Sequence, residues 1–241
     1  MIATPLDDGH KVCFWESLRR FERLYYSGKL QCRHEFAVMT AHGDSLVPRA
    51  RDNIAEFFLN STRHEYLLSL DSDLDFLPED LTRLAKLASD HTLDFLVGKY
   101  AVKSDEARWC VDPLPGEVPD PAIGLQRIGL APGGFTLVHR RVFEEMIKQA
   151  SWWPHWRVAF NEDLTNRARW HFYFDGVVLD TEYWPDKPRG RYLSEDWGFS
   201  YFARRLGFAL WLDTQTIALH RGETYYPLGA RRMTADEAAP Q

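Results

Sequence analysis

Cysteine is scarce in this chain, and its use excludes two classes of protein. Cys13, Cys32 and Cys110 are the only three in 241 residues. Their odd number and scatter argue against a disulfide framework, and none stands at a metal-ligand spacing. Such usage suits a reducing compartment. No run of about 18 apolar residues occurs, so no segment is long enough to cross a bilayer as a helix. The opening residues lack the pattern of a secretion signal, and with the cysteines this predicts a cytoplasmic protein. Positive charge is in deficit: 29 Lys and Arg stand against 35 Asp and Glu, a net charge of −6. A nonspecific nucleic-acid partner is thereby excluded. There is no internal repeat. Aromatics are plentiful, with nine Trp and fifteen Phe. They suit a carbohydrate-handling surface, although each alone has plain core packing as its ordinary alternative.

Apolar periodicity and Pro/Gly punctuation divide the chain into alternating strands and helices. Met1 to Pro5 reads as a short strand running into a turn, and Glu35 to Thr40 as a strand before Gly43. Val47 to Ser61 reads as a helix with Pro48 in its first turn and a stripe of Ile54, Phe57 and Phe58. Tyr66 to Leu70 is a strand, Pro78 opens a helix, and Leu93 to Tyr100 returns as a strand. Ser104 to Pro121 is a Pro- and charge-rich excursion. Leu125 to Leu130 and Phe135 to His139 are short strands around Pro132-Gly133-Gly134, followed by a helix from Arg140 to Ala150. Residues 151 to 171 are Trp-rich and irregular. Phe172 to Phe174 reads as strand, Glu195 to Leu206 as helix, and Ile217 to His220 as the last strand. This alternation predicts an α/β fold with a mostly parallel central sheet covered on both faces. One domain over residues 1–229 is expected, with a nucleotide-binding half to about 100 and a substrate-binding half after it. Residues 230–241 read as a loose polar tail.

The chemistry gathers in five places. The apolar strand Tyr66 to Leu70 ends in Asp71-Ser72-Asp73, with Asp75 close behind. Burying a carboxylate is costly unless it is paired or metal-bound, and hard divalent cations such as Mn2+ or Mg2+ prefer such oxygens. A solvated turn or a helix cap is the plainer alternative. Upstream, Arg49-Ala50-Arg51-Asp52-Asn53 opens a helix, where guanidinium forks suit a diphosphate; a salt-bridged helix face is the alternative. Ser194-Glu195-Asp196-Trp197 offers either an N-cap with dipole-complementing acids or a carboxylate general base. His220 ends an apolar run much as Asp73 does, and a neutral imidazole can ligate Mn2+. Gly133-Gly134-Phe135 allows backbone to lie close to a ligand or simply to turn a hairpin.

In this order the motifs resemble the GT-A glycosyltransferases, especially family 2-like bacterial and viral members. The resemblance spans roughly residues 1 to 226. It implies a nucleotide-contacting turn at Thr4-Pro5-Leu6-Asp7 and a nucleotide-diphosphate sugar donor, UDP- or GDP-linked. It also implies an Mn2+ or Mg2+ ion held by Asp73 and His220, with Asp71 at the metal shell or the ribose. Arg51 and the metal would stabilise the leaving diphosphate, and Asp196 would deprotonate a glycan or other hydroxyl acceptor for inverting transfer. Three other readings meet some of the same residues. A haloacid dehalogenase-like phosphatase would use Asp71 as nucleophile but carries its acids near the chain start. A non-catalytic sugar-nucleotide-binding domain would keep binding and lose transfer. A sugar nucleotidyltransferase would need a Gly-rich basic loop after the first strand, where Leu6-Asp7-Asp8-Gly9 stands.

Overall fold

The computed structural model describes residues 1–6, 12–30, 32–42, 44, 46–103, 108–149, 157–158, 169–173, 177–179, 191–221 and 225–226. In chain order the elements are β1 (Ile2–Leu6), α1 (Val12–Tyr26), β2 (Val38–His42), α2 (Val47–Ser61), β3 (Tyr66–Leu70), β4 (Leu74–Asp75) and α3 (Pro78–Asp90). They continue with β5 (Phe95–Tyr100), β6 (Asp112–Pro113), β7 (Leu125–Leu130), β8 (Phe135–His139), α4 (Arg140–Lys148), β9 (Arg157–Val158) and β10 (Arg169–Trp170). The last are β11 (Val177–Leu179), β12 (Arg191–Leu193), α5 (Glu195–Arg205), β13 (Leu210–Arg221) and β14 (Tyr225–Tyr226).

Ten strands form one sheet in the order β2-β1-β3-β8-β5-β13-β7-β6, with β4 and β14 bonded to β13. β1 pairs in parallel with β2 and β3, and β5 pairs in parallel with β13. β8 lies antiparallel between β3 and β5. β1, β2, β3, β5 and β13 therefore run one way and deliver their carboxyl ends to one edge. β8 runs the other way and begins at that edge. Open α/β sheets bind ligands at such an edge. The expected α/β class with a mostly parallel body is the one observed.

Side chains alternate across the sheet and feed two cores. In β3, Leu67 joins a cluster with Ile54 and Phe58 of α2, Phe143 of α4, and Phe199 and Phe202 of α5. Its neighbours Leu68 and Leu70 join the opposite cluster, with Phe14, Leu18 and Phe21 of α1 and Leu81, Leu84 and Leu87 of α3. Helices α2, α4 and α5 thus cover one face, and α1 and α3 the other. A strand buried on both sides reads as a continuous apolar run, which is the pattern of Tyr66 to Leu70.

Some boundaries differ from the sequence pattern. Helix α1 had no counterpart in it: a stripe of Phe14, Leu18 and Phe21 is buried, but interleaved arginines and glutamates mask it. β2 starts at Val38 rather than Glu35, and β5 at Phe95 rather than Leu93. The expected strand at Phe172 to Phe174 lies instead at Arg169–Trp170, paired with β9. β13 is twelve residues long, against four expected. Asp213, Thr214, Gln215 and Thr216 interrupt its apolar pattern, and the register with β5 shifts between Asp213 and Ile217. Asp213 is fully buried there. Arg83 Nε and Nη2 donate to its two oxygens at 2.7 and 2.9 Å, and Thr216 Oγ1 donates at 2.6 Å. A buried carboxylate so partnered is tolerated inside a strand. Most of the Trp-rich segment, Asp7 and the expected tail lie outside the described residues.

Candidate functional site

Asp71 follows β3, Lys103 follows β5, and His220 lies near the end of β13, so three parallel strands bring them to one sheet edge. Pro132, Gly133 and Gly134 precede β8 and reach the same edge. The Asp71 amide donates to the Gly134 carbonyl at 2.8 Å, one step beyond the Leu70–Phe135 pair. α5 adds Asp196 from the side: Gly133 N–H donates to Asp196 Oδ2 at 3.0 Å. Asp71, Asp196 and His220 line a cleft of about 910 Å³, walled by Tyr100, Trp109, Cys110 and Trp197 among others.

The two acids of Asp71-Ser72-Asp73 have different partners. Asp71 Oδ1 accepts from Arg51 Nη2 at 2.7 Å. Burial pushes the Asp71 carboxyl above its ordinary range, Arg51 pulls it back, and Asp73 and Asp196 add to the push. Asp73 is bonded by Lys103 Nζ through Oδ2, and His220 Nε2 lies 3.4 Å from its Oδ1. Burial opposes charge on Asp73, but His220 and then Lys103 outweigh it and hold the carboxyl well below the usual range. Ser72 is buried within the turn. Asp75, expected as a third acid at this edge, points elsewhere and accepts from Ser17 Oγ of α1 at 2.7 Å.

His220 is oriented from behind. Its Nδ1 lies 2.8 Å from the Ala101 carbonyl oxygen, which can only accept, so Nδ1 carries a proton. Nε2 then faces a carboxylate and holds either a second proton or a lone pair. A lone pair there calls for a cation between the two groups. An imidazole fixed through one nitrogen on a backbone carbonyl is a common setting for a metal ligand. Among the described residues, however, no group of three His, Cys, Asp or Glu side chains is arranged to hold a metal ion. The expected trio of Asp71, Asp73 and His220 is thus a close Asp73–His220 pair, with Asp71 turned to Arg51.

The arginines differ from expectation. Arg51 does not face the cleft; its side chain is 4% exposed. Nη1 donates to Ser69 Oγ at 2.8 Å and to the Gly133 carbonyl at 3.0 Å, and its ring neighbour is Tyr173 at 5.8 Å. Nε is buried without a hydrogen bond among the described residues and faces Glu195 Oε1 at 3.8 Å. The guanidinium is therefore a beam under the site, not an anion clamp on its surface. Arg49 Nε is bonded to both oxygens of Asp44 at 3.0 and 2.9 Å. Asn53 lies half-buried on α2. In the expected nucleotide turn, Thr4 is fully buried and its hydroxyl donates to the Pro5 carbonyl at 3.3 Å; Pro5 is half-buried.

The two glycines are required by the site's own side chains. A Cβ on Gly133 would lie 2.5 Å from Arg51 Nη1, and one on Gly134 would lie 2.4 Å from Asp71 Oδ2 and 2.6 Å from Tyr100 Oη. Gly134 N–H donates to that hydroxyl at 3.1 Å.

On α5, Asp196 Oδ1 accepts from Ser194 Oγ at 2.5 Å and from Trp197 N–H at 2.8 Å. Glu195 is pushed up by burial and by Asp196, with Arg51 opposing. Cys110, also in the cleft wall, is pushed up to about 12 by burial and then by the carboxylates of Asp196 and Asp71. It is a neutral thiol with no nucleophilic character at pH 7.

Lys103, Tyr100 and the cleft wall around Trp109 had escaped the sequence pattern. A signal existed for Lys103. It follows a buried strand at the same edge as Asp71, where strand-end residues meet.

No family model matches the chain, and no curated protein sequence matches it. Solved structures do. The crystal structure of A197 from STIV superposes with a TM-score of 0.51 at 14% identity, over 91% of this chain and 84% of that one. GalNAc-T7, solved with UDP, GalNAc and Mn2+, gives 0.53 at 12% identity, over 91% of this chain and 43% of that one. The fold is GT-A-like. In this GT-A-like body Asp71, Pro132, Asp196 and His220 line one cleft, with Asp73 beside His220 and Gly133 bonded to Asp196. Among the described residues no helix is long and apolar enough to cross a membrane.

Proposed function

We propose that the chain is a glycosyltransferase that moves a sugar from a nucleotide-diphosphate donor, UDP- or GDP-linked, to a hydroxyl acceptor such as a glycan. The observation that carries this reading is the convergence of Asp71, Asp196 and His220 on one cleft at the carboxyl edge of a GT-A-like sheet, with Asp73 beside His220. The presence of UDP, GalNAc and Mn2+ in the GalNAc-T7 structure supports the donor class.

The donor set suits Mn2+ or Mg2+: one carboxylate and one imidazole whose far nitrogen is tied to a carbonyl. Such ions commonly take one or two protein carboxylates and complete their shell with substrate phosphates and water. Asp73 and His220 would hold the ion, and when bound it would neutralise charge on the leaving diphosphate. Asp71, fixed by Arg51, would orient the metal shell or a ribose hydroxyl. Asp196 would accept the proton of the acceptor hydroxyl as that oxygen attacks the anomeric carbon, giving inversion. Its three hydrogen bonds hold the carboxylate toward the cleft. The half to about residue 100 would serve the nucleotide and the half to 229 the acceptor.

The test pairs binding with transfer. Thermal stabilisation by UDP and GDP is measured with and without Mn2+, and transfer is assayed with a panel of UDP- and GDP-sugars. A shift that needs Mn2+ is expected for one nucleotide. Asp196→Asn should keep that shift and lose about 10²- to 10⁴-fold in transfer. No metal-dependent shift with either nucleotide removes the donor reading. Full transfer by Asp196→Asn removes the base. Binding without transfer to any acceptor favours the non-catalytic domain.

A further inference from the structure

We propose that Lys103 is an internal cation that keeps the Asp73 position until a metal–diphosphate pair takes it over. The inference rests on the proposed function and adds a control on when the metal binds. Both acids of Asp71-Ser72-Asp73 already have a cationic partner from within the chain: Arg51 for Asp71 and Lys103 for Asp73. The two partners are unequal. Arg51 is 4% exposed and tied by Ser69, Gly133 and Asp71 together. Lys103 is 36% exposed, and among the described residues its ammonium bonds to Asp73 Oδ2. A lysine is a point charge on a flexible four-carbon stem, so Lys103 can withdraw and Arg51 cannot.

Ion competition follows. A divalent cation arriving alone must displace an ammonium from Asp73 and leave it beside the site without the anion it was bonded to. A cation arriving with a diphosphate brings the anion that the released ammonium needs. Metal and diphosphate then bind cooperatively, because each relieves a cost the other would meet alone. Without Lys103, the ammonium that bonds Asp73 Oδ2 is removed from beside His220. The metal alone should then bind better and gain less from the nucleotide.

Free Mn2+ is followed by electron paramagnetic resonance during titration of the full chain, with Mn2+ alone and with UDP or GDP, corrected for Mn2+–nucleotide pairing in buffer. Lys103→Met and Lys103→Gln are compared with the wild type, with circular dichroism as the check on folding. The wild type should bind Mn2+ about tenfold or more tightly when its nucleotide is present. Both variants should bind Mn2+ alone about tenfold more tightly than the wild type and show a smaller gain from the nucleotide. Unchanged affinity for Mn2+ alone in both variants overturns the inference and leaves the functional reading standing. No Mn2+ binding by any of the three proteins, with or without nucleotide, overturns both.

Discussion

At the scale of the residue, Arg51 carries the clearest lesson. Its type, its helix-start position and its arginine neighbour pointed to a phosphate contact, and those properties are real. What the sequence could not carry is the depth of the side chain, because depth depends on Ser69 and Gly133, 18 and 82 positions away. Arg49, two residues earlier, is bonded by Asp44, only five positions off. Asp71 and Asp73 were legible as acids at a sheet edge because charge at the end of a buried strand is rare. Their partners, Arg51 and Lys103, were not, since both pairings are long-range. The Arg51–Asp71 pair should behave as a buried ion pair does. Removing one member strands the other charge, whereas removing both is milder. Arg51→Leu should therefore cost about 3 kcal/mol, the low end of the range for breaking a buried pair because Asp71 keeps some exposure. Arg51→Leu with Asp71→Leu should cost less than Arg51→Leu alone. Urea denaturation of the two single variants and the double variant closes the cycle. Equal cost for Arg51→Leu with and without the second change would mean that Asp71 needs no partner.

At the scale of the element, legibility followed punctuation. α2 and α3 begin where Pro48 and Pro78 require, and β3, β7 and β8 match their apolar runs end to end. α1 escaped because its apolar stripe is diluted by charge, and β13 was cut short because Asp213 sits inside it. Gly133-Gly134 was readable as a tight feature, but not as one shaped by side chains from α2 and β3. The junction before β8 has room for no Cβ at Gly134, given Asp71 Oδ2 and Tyr100 Oη on either side. Neither neighbour can retreat freely: Asp71 is held by Arg51, and Tyr100 is buried and accepts the Gly134 amide. Gly134→Ala should thus destabilise by about 1–3 kcal/mol through overpacking. It should also weaken Mn2+-dependent nucleotide binding, because the displaced group is Asp71. Thermal denaturation together with a nucleotide titration reads both effects. A variant with wild-type stability and binding would show that the junction relaxes without cost.

At the scale of the whole molecule, one sheet separates two aromatic cores, and the site stands where both faces end. The face under α2, α4 and α5 holds Phe58, and the face under α1 and α3 holds Phe21; both are buried to 1% or less. β3 contributes Leu67 to one core and Leu68 to the other, so neither core can loosen without moving the strand that presents Asp71. This coupling is why the first and second halves of the chain, despite their different regularity, are expected to unfold together as one domain. The composition pointed to a sizeable core but not to its division, which depends on where each helix crosses the sheet. Phe58→Leu and Phe21→Leu each keep an apolar side chain of somewhat smaller volume and should cost about 1 kcal/mol. In a chain of this size that lowers Tm by about 2–4 °C. Unfolding is followed by far-ultraviolet circular dichroism and by tryptophan fluorescence. Each variant should give one coincident transition by both probes, and the double variant should show the sum of the two shifts, since the sites lie on opposite faces. Two separated transitions, or a Phe21→Leu effect confined to one probe, would divide the chain into independent units and remove the mechanical link between its cores and its site.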